Sequence, residues 1–307
     1  MPQYGVVTPA LAVPTGSTHP VDGLPPLPIG SQRLSLEQFQ QLMFLSTQQP
    51  ELAWPPDRSI ALARNAHLTN TASEMAEALA DDFDYFEGDI RLEGSTPVMA
   101  HDKGDPRGMS VEEWLAIGGR SGRGLKLDIK EVAAVLPTLK AVKRHGIPDG
   151  RLVINITVNS ANPLAVVPPK LLKQIRHMFP GAIINLSVDA NTYPADLLAK
   201  LAKAALIVGQ PAMFPLRADL VTAEVVAALR RFGKIAVWNS PDIWSPTNIA
   251  EATTRLRGLG VDGTIDLRVA GQAQRLIATF LNTSVKLFGW TVTMQFLSRF
   301  TRLRRGF

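Results

Sequence analysis

The chain has 307 residues, 46% of them apolar, with a formal net charge of +5 and no cysteine. That length suits a single α/β barrel of about 250 residues with terminal extensions. Without cysteine there is no disulfide, no thiolate nucleophile and no cysteine-ligated zinc.

Residues 1–34 are rich in Pro, Gly, Ser and Thr and read as an arm ahead of the barrel. The start has no charged n-region and no long apolar run, so no secretory leader is read and a cytoplasmic place is expected. Residues 35–52 predict a short helix with Ser35 at its cap and Glu37 in its first turn, broken by the prolines at 55–56. From residue 59 the pattern alternates. Strands are predicted at 59–67, 85–93, 97–101, 125–130, 152–158, 183–188, either 204–210 or 212–218, 235–240 and 263–268. Helices are predicted at 71–80, 111–117, 131–144, 168–178, 193–203, 222–231 and 246–258. Short connections argue for parallel strands in βαβ units. No glycine-rich phosphate loop follows the first strand, which argues against a dinucleotide-binding sheet. The expected architecture is a (β/α)8 TIM-type barrel over residues 35–268.

The charge is concentrated at the end of the chain. No acidic residue follows Asp266, while Arg268, Arg275, Lys286, Arg299, Arg302, Arg304 and Arg305 carry seven positive charges. Set among aliphatic and aromatic residues, this pattern suits an anionic membrane surface better than a nucleic acid. Residues 276–297 have the length of a bilayer span, about 20 residues. Lys286 near the middle would cost about 2.5–3.5 kcal/mol there. Two readings of the segment 269–307 stand: a peripheral helix turned toward anionic lipid, or a helix that closes the barrel.

The unusual polar residues gather at strand ends. His67 ends the first predicted strand, and His101 ends the segment PVMAH. Glu87 and Asp89 are two apart, so the strand period sends both to one face. Asp128 and Lys130 repeat that spacing, with Lys126 on the same face. The C-terminal mouth of a parallel barrel is where catalytic residues collect, and buried charges need partners or a metal. Three carboxylates, Glu87, Asp89 and Asp128, offer hard oxygen ligands suited to Mg²⁺, with Ca²⁺ as the alternative. His67 and His101 suit a general acid and a general base. Lys130 suits a phosphate oxygen, or the orientation of a carboxylate.

In order, His67, Glu87-Gly88-Asp89, His101-Asp102 and Asp128-Ile129-Lys130 resemble the site of the glycerophosphodiester phosphodiesterases and sphingomyelinase D toxins, which are PLC-like phosphodiesterases. The blocks NAHLTNTASEMAEAL, EGDIRLEG, PVMAHDKGDP, GLKLDIK, LVINITVNSANP, INLSVDA, FPLRA and IAVW more closely resemble the menorin family, across residues 59–268. The resemblance implies His67 and His101 as an acid/base pair and Glu87, Asp89 and Asp128 as cation ligands. It implies Lys130 on the phosphate and Lys126, Asn155, Arg217 and Trp238 as substrate contacts. The implied reaction is metal-dependent hydrolysis or transphosphatidylation of a phosphodiester or phospholipid. The arginine and the Glu-Asn-Thr signature that follow the first histidine in glycerophosphodiesterases are absent here, where Leu68-Thr69-Asn70-Thr71 stands. That departure keeps a second expectation open: a binding or scaffold barrel without turnover.

Overall fold

The computed structural model describes residues 32–54, 59–209, 211–240 and 246–268. Most of the predicted N-terminal arm and all of the C-terminal segment 269–307 lie outside the described residues.

The chain opens with α1 (Leu36–Leu45), followed by β1 (Asn65–Ala66), α2 (Ala72–Ala80), β2 (Tyr85–Glu93), β3 (Thr96–Met99), α3 (Val111–Arg120) and β4 (Gly124–Ile129). It continues through α4 (Val132–Arg144), β5 (Leu152–Asn159), α5 (Pro169–Met178), β6 (Ile183–Val188) and α6 (Ala195–Val208). The last described elements are β7 (Ala212–Arg217), α7 (Ala223–Leu229), β8 (Lys234–Trp238), α8 (Ile249–Gly258) and β9 (Ile265–Asp266). Eight parallel strands form a nearly closed barrel in the order β1-β2-β4-β5-β6-β7-β8-β9, and β3 folds back antiparallel on β2. Side chains bridge the two ends of the sheet. Asn65 Nδ2 donates to Asp266 Oδ2 at 2.9 Å, and Arg257 Nη2 donates to Ala61 O at 2.5 Å.

Helix starts follow their caps. The side chains of Ser35, Thr71 and Ser110 each accept a backbone N–H, and their own backbone N–H groups donate in return to the side chains of Gln38, Glu74 and Glu113. The Glu113 carboxylate is buried and fully used: Oε1 accepts from the N–H groups of Arg33 and Leu34, and Oε2 from Ser110. One side chain thereby ties the start of the described chain to α3.

The barrel interior is layered. Ile60, Ala63, Tyr85, Val153, Met213 and Ala236 fill its lower end, with Trp54 edge-on to Tyr85 at 6.1 Å. This explains the first departure from the sequence pattern. The predicted strand 59–67 shrinks to Asn65–Ala66, because Ile60–Leu62 form a 3-10 turn that brings Ile60 and Ala63 under the barrel. The first helix ends at Leu45 rather than reaching residue 52, since Pro50 cannot sit inside a helix and instead starts a 3-10 turn, Pro50–Leu52. Of the two alternatives for the seventh strand, 212–218 is close to the observed one. Residues 204–208 belong to α6, where Leu201, Ala204, Ala205 and Val208 bury one helical face.

Four arginines organise the end of the barrel away from the strand C-termini. Arg123 is 2% exposed and donates to the carbonyls of Ala78, Leu79 and Asp81 at the end of α2. Arg151 holds Gly118 O, Gly119 O and Arg123 O. Arg176 gathers Phe179 O, Ala182 O, Val208 O and Pro211 O, and Arg257 gathers Val261 O and Gly263 O. Helix-end carbonyls lack intrahelical donors, and a guanidinium supplies several at once. Burial lowers the pKa of Arg123 and of Arg151 to about 10 each, so both stay charged at neutral pH.

Candidate functional site

The opposite end of the barrel, at the strand C-termini, carries the charge. Pairing in register places Glu87 beside Lys126, Asp89 beside Asp128, and Asp128 beside Asn155. These residues share the inner face of β2, β4 and β5. Gly88 between the two acids faces outward. A Cβ there would lie 2.2 Å from Met99 Cε and 3.3 Å from the Trp114 ring, so a larger residue would have to displace the Met99 tip.

Lys130 Nζ lies 2.6 Å from both Asp89 Oδ1 and Asp128 Oδ2. Asn155 Nδ2 donates to Asp128 Oδ1 at 2.6 Å. Burial works against the Asp128 carboxylate, but Lys130 first and Lys126 second outweigh it and hold its pKa below the usual range. The same ion pairs overcome burial at Lys130 and raise its pKa. Asp89 is fixed by a reciprocal pair with Asn70: Asn70 Nδ2 donates to Asp89 Oδ2 at 3.1 Å, and Asp89 N donates to Asn70 Oδ1 at 2.8 Å.

His67 stands at the first strand end, where its Nδ1 is 3.1 Å from Asp266 Oδ2 and 3.4 Å from Glu87 Oε2. Burial opposes its charge, yet Glu87 and then Asp266 more than compensate, and the pKa is raised. Burial likewise penalises the Asp266 carboxylate, and its bond to His67 overrides that to keep it ionised. Leu68, which follows, is the one non-glycine residue at positive φ (60°) among the described residues. Its N–H donates to Glu87 Oε2 at 2.9 Å. A left-handed leucine costs about 1–2 kcal/mol, a strain of the kind that collects at functional sites. Thr69 N and Oγ1 both bond Glu87 O, and Trp114 Nε1 bonds Thr69 O at 2.9 Å, so the loop is stitched to β2 and α3.

The structure therefore brings together His67, Glu87, Asp89, Lys126, Asp128, Lys130 and Asn155 of the expected residues. His101 follows β3 with its ring 60% exposed, and its Nδ1 lies 3.0 Å from Asp102. The Arg217 guanidinium is engaged by Asp219 at 2.6 Å and Asn191 at 2.9 Å. Trp238 lies in register between Arg217 and Asp266, half-buried. Two contributors escape the sequence reading. Asp266 stands two residues before the end of the predicted strand 263–268, as Asp128 does in 125–130. Asn70 lies in a loop, where no periodicity marks it.

Three carboxylates, Glu87, Asp89 and Asp128, can each offer an oxygen with all three atoms within 4.8 Å of one another. Glu87 is 1% exposed, its Oε1 has no hydrogen-bond partner, and it lies 3.8 Å from Lys126 Nζ. With Asp266 the mouth holds four carboxylates, and facing them are Lys126, Lys130, the His67 imidazole and Arg268, which is close enough to act on His67. An orphaned buried oxygen and three hard oxygen donors fit a divalent cation.

Comparison with known proteins agrees with the sequence resemblance. The chain is 27% identical to Protein FAM151B from Homo sapiens over 172 residues, covering 50% of this chain and 62% of that relative. The match thus spans about three-fifths of the relative's length. Among solved structures, a protein assigned as a glycerophosphoryl diester phosphodiesterase from Agrobacterium tumefaciens aligns at 12% identity with a TM-score of 0.47, covering 74% of this chain and 99% of that one. One assigned as a lyase/mutase from Burkholderia cenocepacia aligns at 12% identity with a TM-score of 0.44, covering 82% and 93%. The family model described as the Menorin N-terminal domain matches residues 60–252. That span holds β2, β4 and β5 with every carboxylate of the three-acid cluster, and the chain belongs to the menorin family.

Proposed function

We propose that this barrel cleaves phosphodiesters in the presence of a divalent cation, Mg²⁺ before Ca²⁺, held by Glu87, Asp89 and Asp128. The observation that carries the reading is the half-buried His67–Asp266 pair beside that acidic cluster. When bound, the cation supplies a Lewis acid for the phosphoryl oxygens. Without it the three carboxylates would face an anionic diester directly, which is why the cation belongs to the proposal.

The chain's own residues do the rest. Asp266 holds His67 by Nδ1, which fixes the ring and leaves Nε2 to exchange a proton with substrate. Cleavage forms a bond from the nucleophile oxygen, water or a neighbouring substrate hydroxyl, to phosphorus and breaks the bond to the leaving alkoxide. One histidine takes the nucleophile's proton and the other donates to the alkoxide. His101 reaches the second role by turning from Asp102, since its ring is exposed and sits on the loop after β3. Lys130 and Lys126 offset charge on the phosphoryl oxygens.

The test is a panel of phosphodiesters, including lysophospholipids and glycerophosphodiesters, with His67→Ala and His101→Ala beside the wild type. Each substitution should lower the rate by about 10²–10⁴. Full activity in two folded variants would reject the acid/base assignment.

A second reading is a barrel that binds an anionic ligand without turnover. It is favoured by the exposed His101, held by Asp102, and by Lys130 lodged between two of the three carboxylates. Ligand binding with no hydrolysis across the panel would select it. A phospholipid substrate also fits a peripheral membrane role for the basic C-terminal sequence, which co-flotation with phosphatidylserine vesicles, and not with neutral ones, would support. No helix among the described residues is long and apolar enough to cross a membrane.

A further inference from the structure

The inner face of the barrel mouth is divided. The wall formed by β1, β2 and β4 is charged, whereas the adjoining wall of β5 and β6 is neutral and hydrogen-bonding. Register places Asn155 beside Asn185 and Thr157 beside Ser187, all on the face that Asn155 shares with Asp128. The two hydroxyls satisfy each other and the backbone: Thr157 Oγ1 lies 3.3 Å from Ser187 Oγ, which donates to Ile156 O at 3.0 Å. The two amide carbonyls do not. Asn155 is 7% and Asn185 1% exposed, and the Oδ1 of each is buried without a hydrogen-bond partner. Leaving a buried acceptor unmade costs about 1–3 kcal/mol, so two neighbouring cases call for a donor from outside the protein.

A cationic head group would require a free carboxylate or an aromatic face; the carboxylate just beyond β6, Asp189, is engaged by Ser160 Oγ at 3.3 Å, and Asp128 is engaged by Lys130 and Asn155. Two adjacent carbonyl acceptors flanked by hydroxyls instead match a ligand that carries several O–H donors and no charge of its own. We infer that the β5–β6 wall is the subsite for a neutral polyhydroxylated group of the substrate, with Asn155 Oδ1 and Asn185 Oδ1 accepting from its hydroxyls. The inference rests on the phosphodiester reading, because the charged wall must hold the phosphate for the polyol to lie against Asn185.

Two matched ligands test it: myo-inositol methyl phosphate and cyclohexyl methyl phosphate, which differ only in ring hydroxyls. Affinities are measured with MgCl₂ for the full chain, and with Asn185→Leu and Asn185→Asp variants whose melting temperatures match the wild type. The wild type should prefer the inositol diester by about tenfold, the order expected for one or two hydrogen bonds. Asn185→Leu should reduce that preference to within twofold without weakening the cyclohexyl diester. Asn185→Asp keeps an acceptor and should retain the preference, which a merely structural role for Asn185 would not produce. Equal affinity of wild type for both ligands, or a preference that survives in Asn185→Leu, overturns the subsite and leaves the phosphodiester reading intact. Binding of neither ligand overturns the phosphodiester reading, and the subsite with it.

Discussion

Replacing Lys130 by Met removes one charge and little volume from the centre of the site. Its Nζ sits 2.6 Å from Asp89 Oδ1 and from Asp128 Oδ2, and Asp89 is 2% exposed. Breaking a buried ion pair from one side costs about 3–5 kcal/mol, since the remaining charge is left buried and alone. Here the lysine retains 26% exposure, and Asn155 and Asn70 keep one bond each to the two acids, which lowers the expected loss to about 2–4 kcal/mol. For a chain of this size that is a fall in Tm of about 3–8 °C, readable by calorimetry at pH 7. The loss should depend on pH. Asp128 has a depressed folded pKa, so the stability it draws from Lys130 is present above its unfolded pKa of about 3.9 and is lost as pH falls through the folded value. The gap between wild type and variant should therefore persist down to about pH 4 and narrow only as pH falls from there toward 2. Millimolar Mg²⁺ or Ca²⁺ should restore part of the lost Tm in the variant, because a cation can take the place of Nζ between the carboxylates. A variant within 1 kcal/mol of wild type at pH 7, or a loss that stays the same from pH 4 down to about pH 2, would refute this account of the cluster.

Asp266→Asn should lower the pKa of His67, followed by NMR titration of the imidazole; an unchanged pKa would show that Asp266 does not hold the ring. The stability of this pair is full between the unfolded pKa values, about 3.9 and 6.5, and is lost above pH 6.5 as pH passes the raised His67 pKa. Glu77 has its pKa raised to about 7 by burial and then by Glu74, so its carboxylate destabilises the fold increasingly from pH 4.5 to 7. Glu77→Gln should thus stabilise by about 1–2 kcal/mol at pH 8, after allowance for its partial exposure, and change little at pH 4; urea denaturation at both pH values decides. Arg123→Met strips three carbonyls at the end of α2 of their donor and should cost about 2–4 kcal/mol, whereas a loss under 1 kcal/mol would mean water replaces the guanidinium.

The alternation of β5, α5 and β6 was legible because the two strands are largely apolar runs and α5 is an amphipathic stretch, opened by Pro168 and Pro169, that buries Leu172 and Ile175. The site was legible where two polar residues sit two apart on a strand, as Glu87 and Asp89 or Asp128 and Lys130 do. Such spacing fixes a shared face whatever the rest of the chain does. The short first strand was not legible, because Ile60 and Ala63 look like strand residues and are buried for another reason, as the floor of the barrel. Asp266 pairs with His67 across 199 positions, a partnership that no local pattern encodes. The hydrogen bonds of Asn70 depend on a loop whose course is set by Leu68 at positive φ, an unfavourable conformation that leucine itself does not announce.

Phosphorus-31 NMR of the wild-type protein with a mixture of glycerophosphodiesters and lysophospholipids tests the central claim most directly, first with Mg²⁺ and then after EDTA. The account predicts that at least one diester resonance decays, stops decaying when EDTA is added, and does not decay with Glu87→Gln. Diester loss that continues unchanged in EDTA, or that Glu87→Gln sustains at the wild-type rate, would contradict a cation-dependent centre at this barrel mouth.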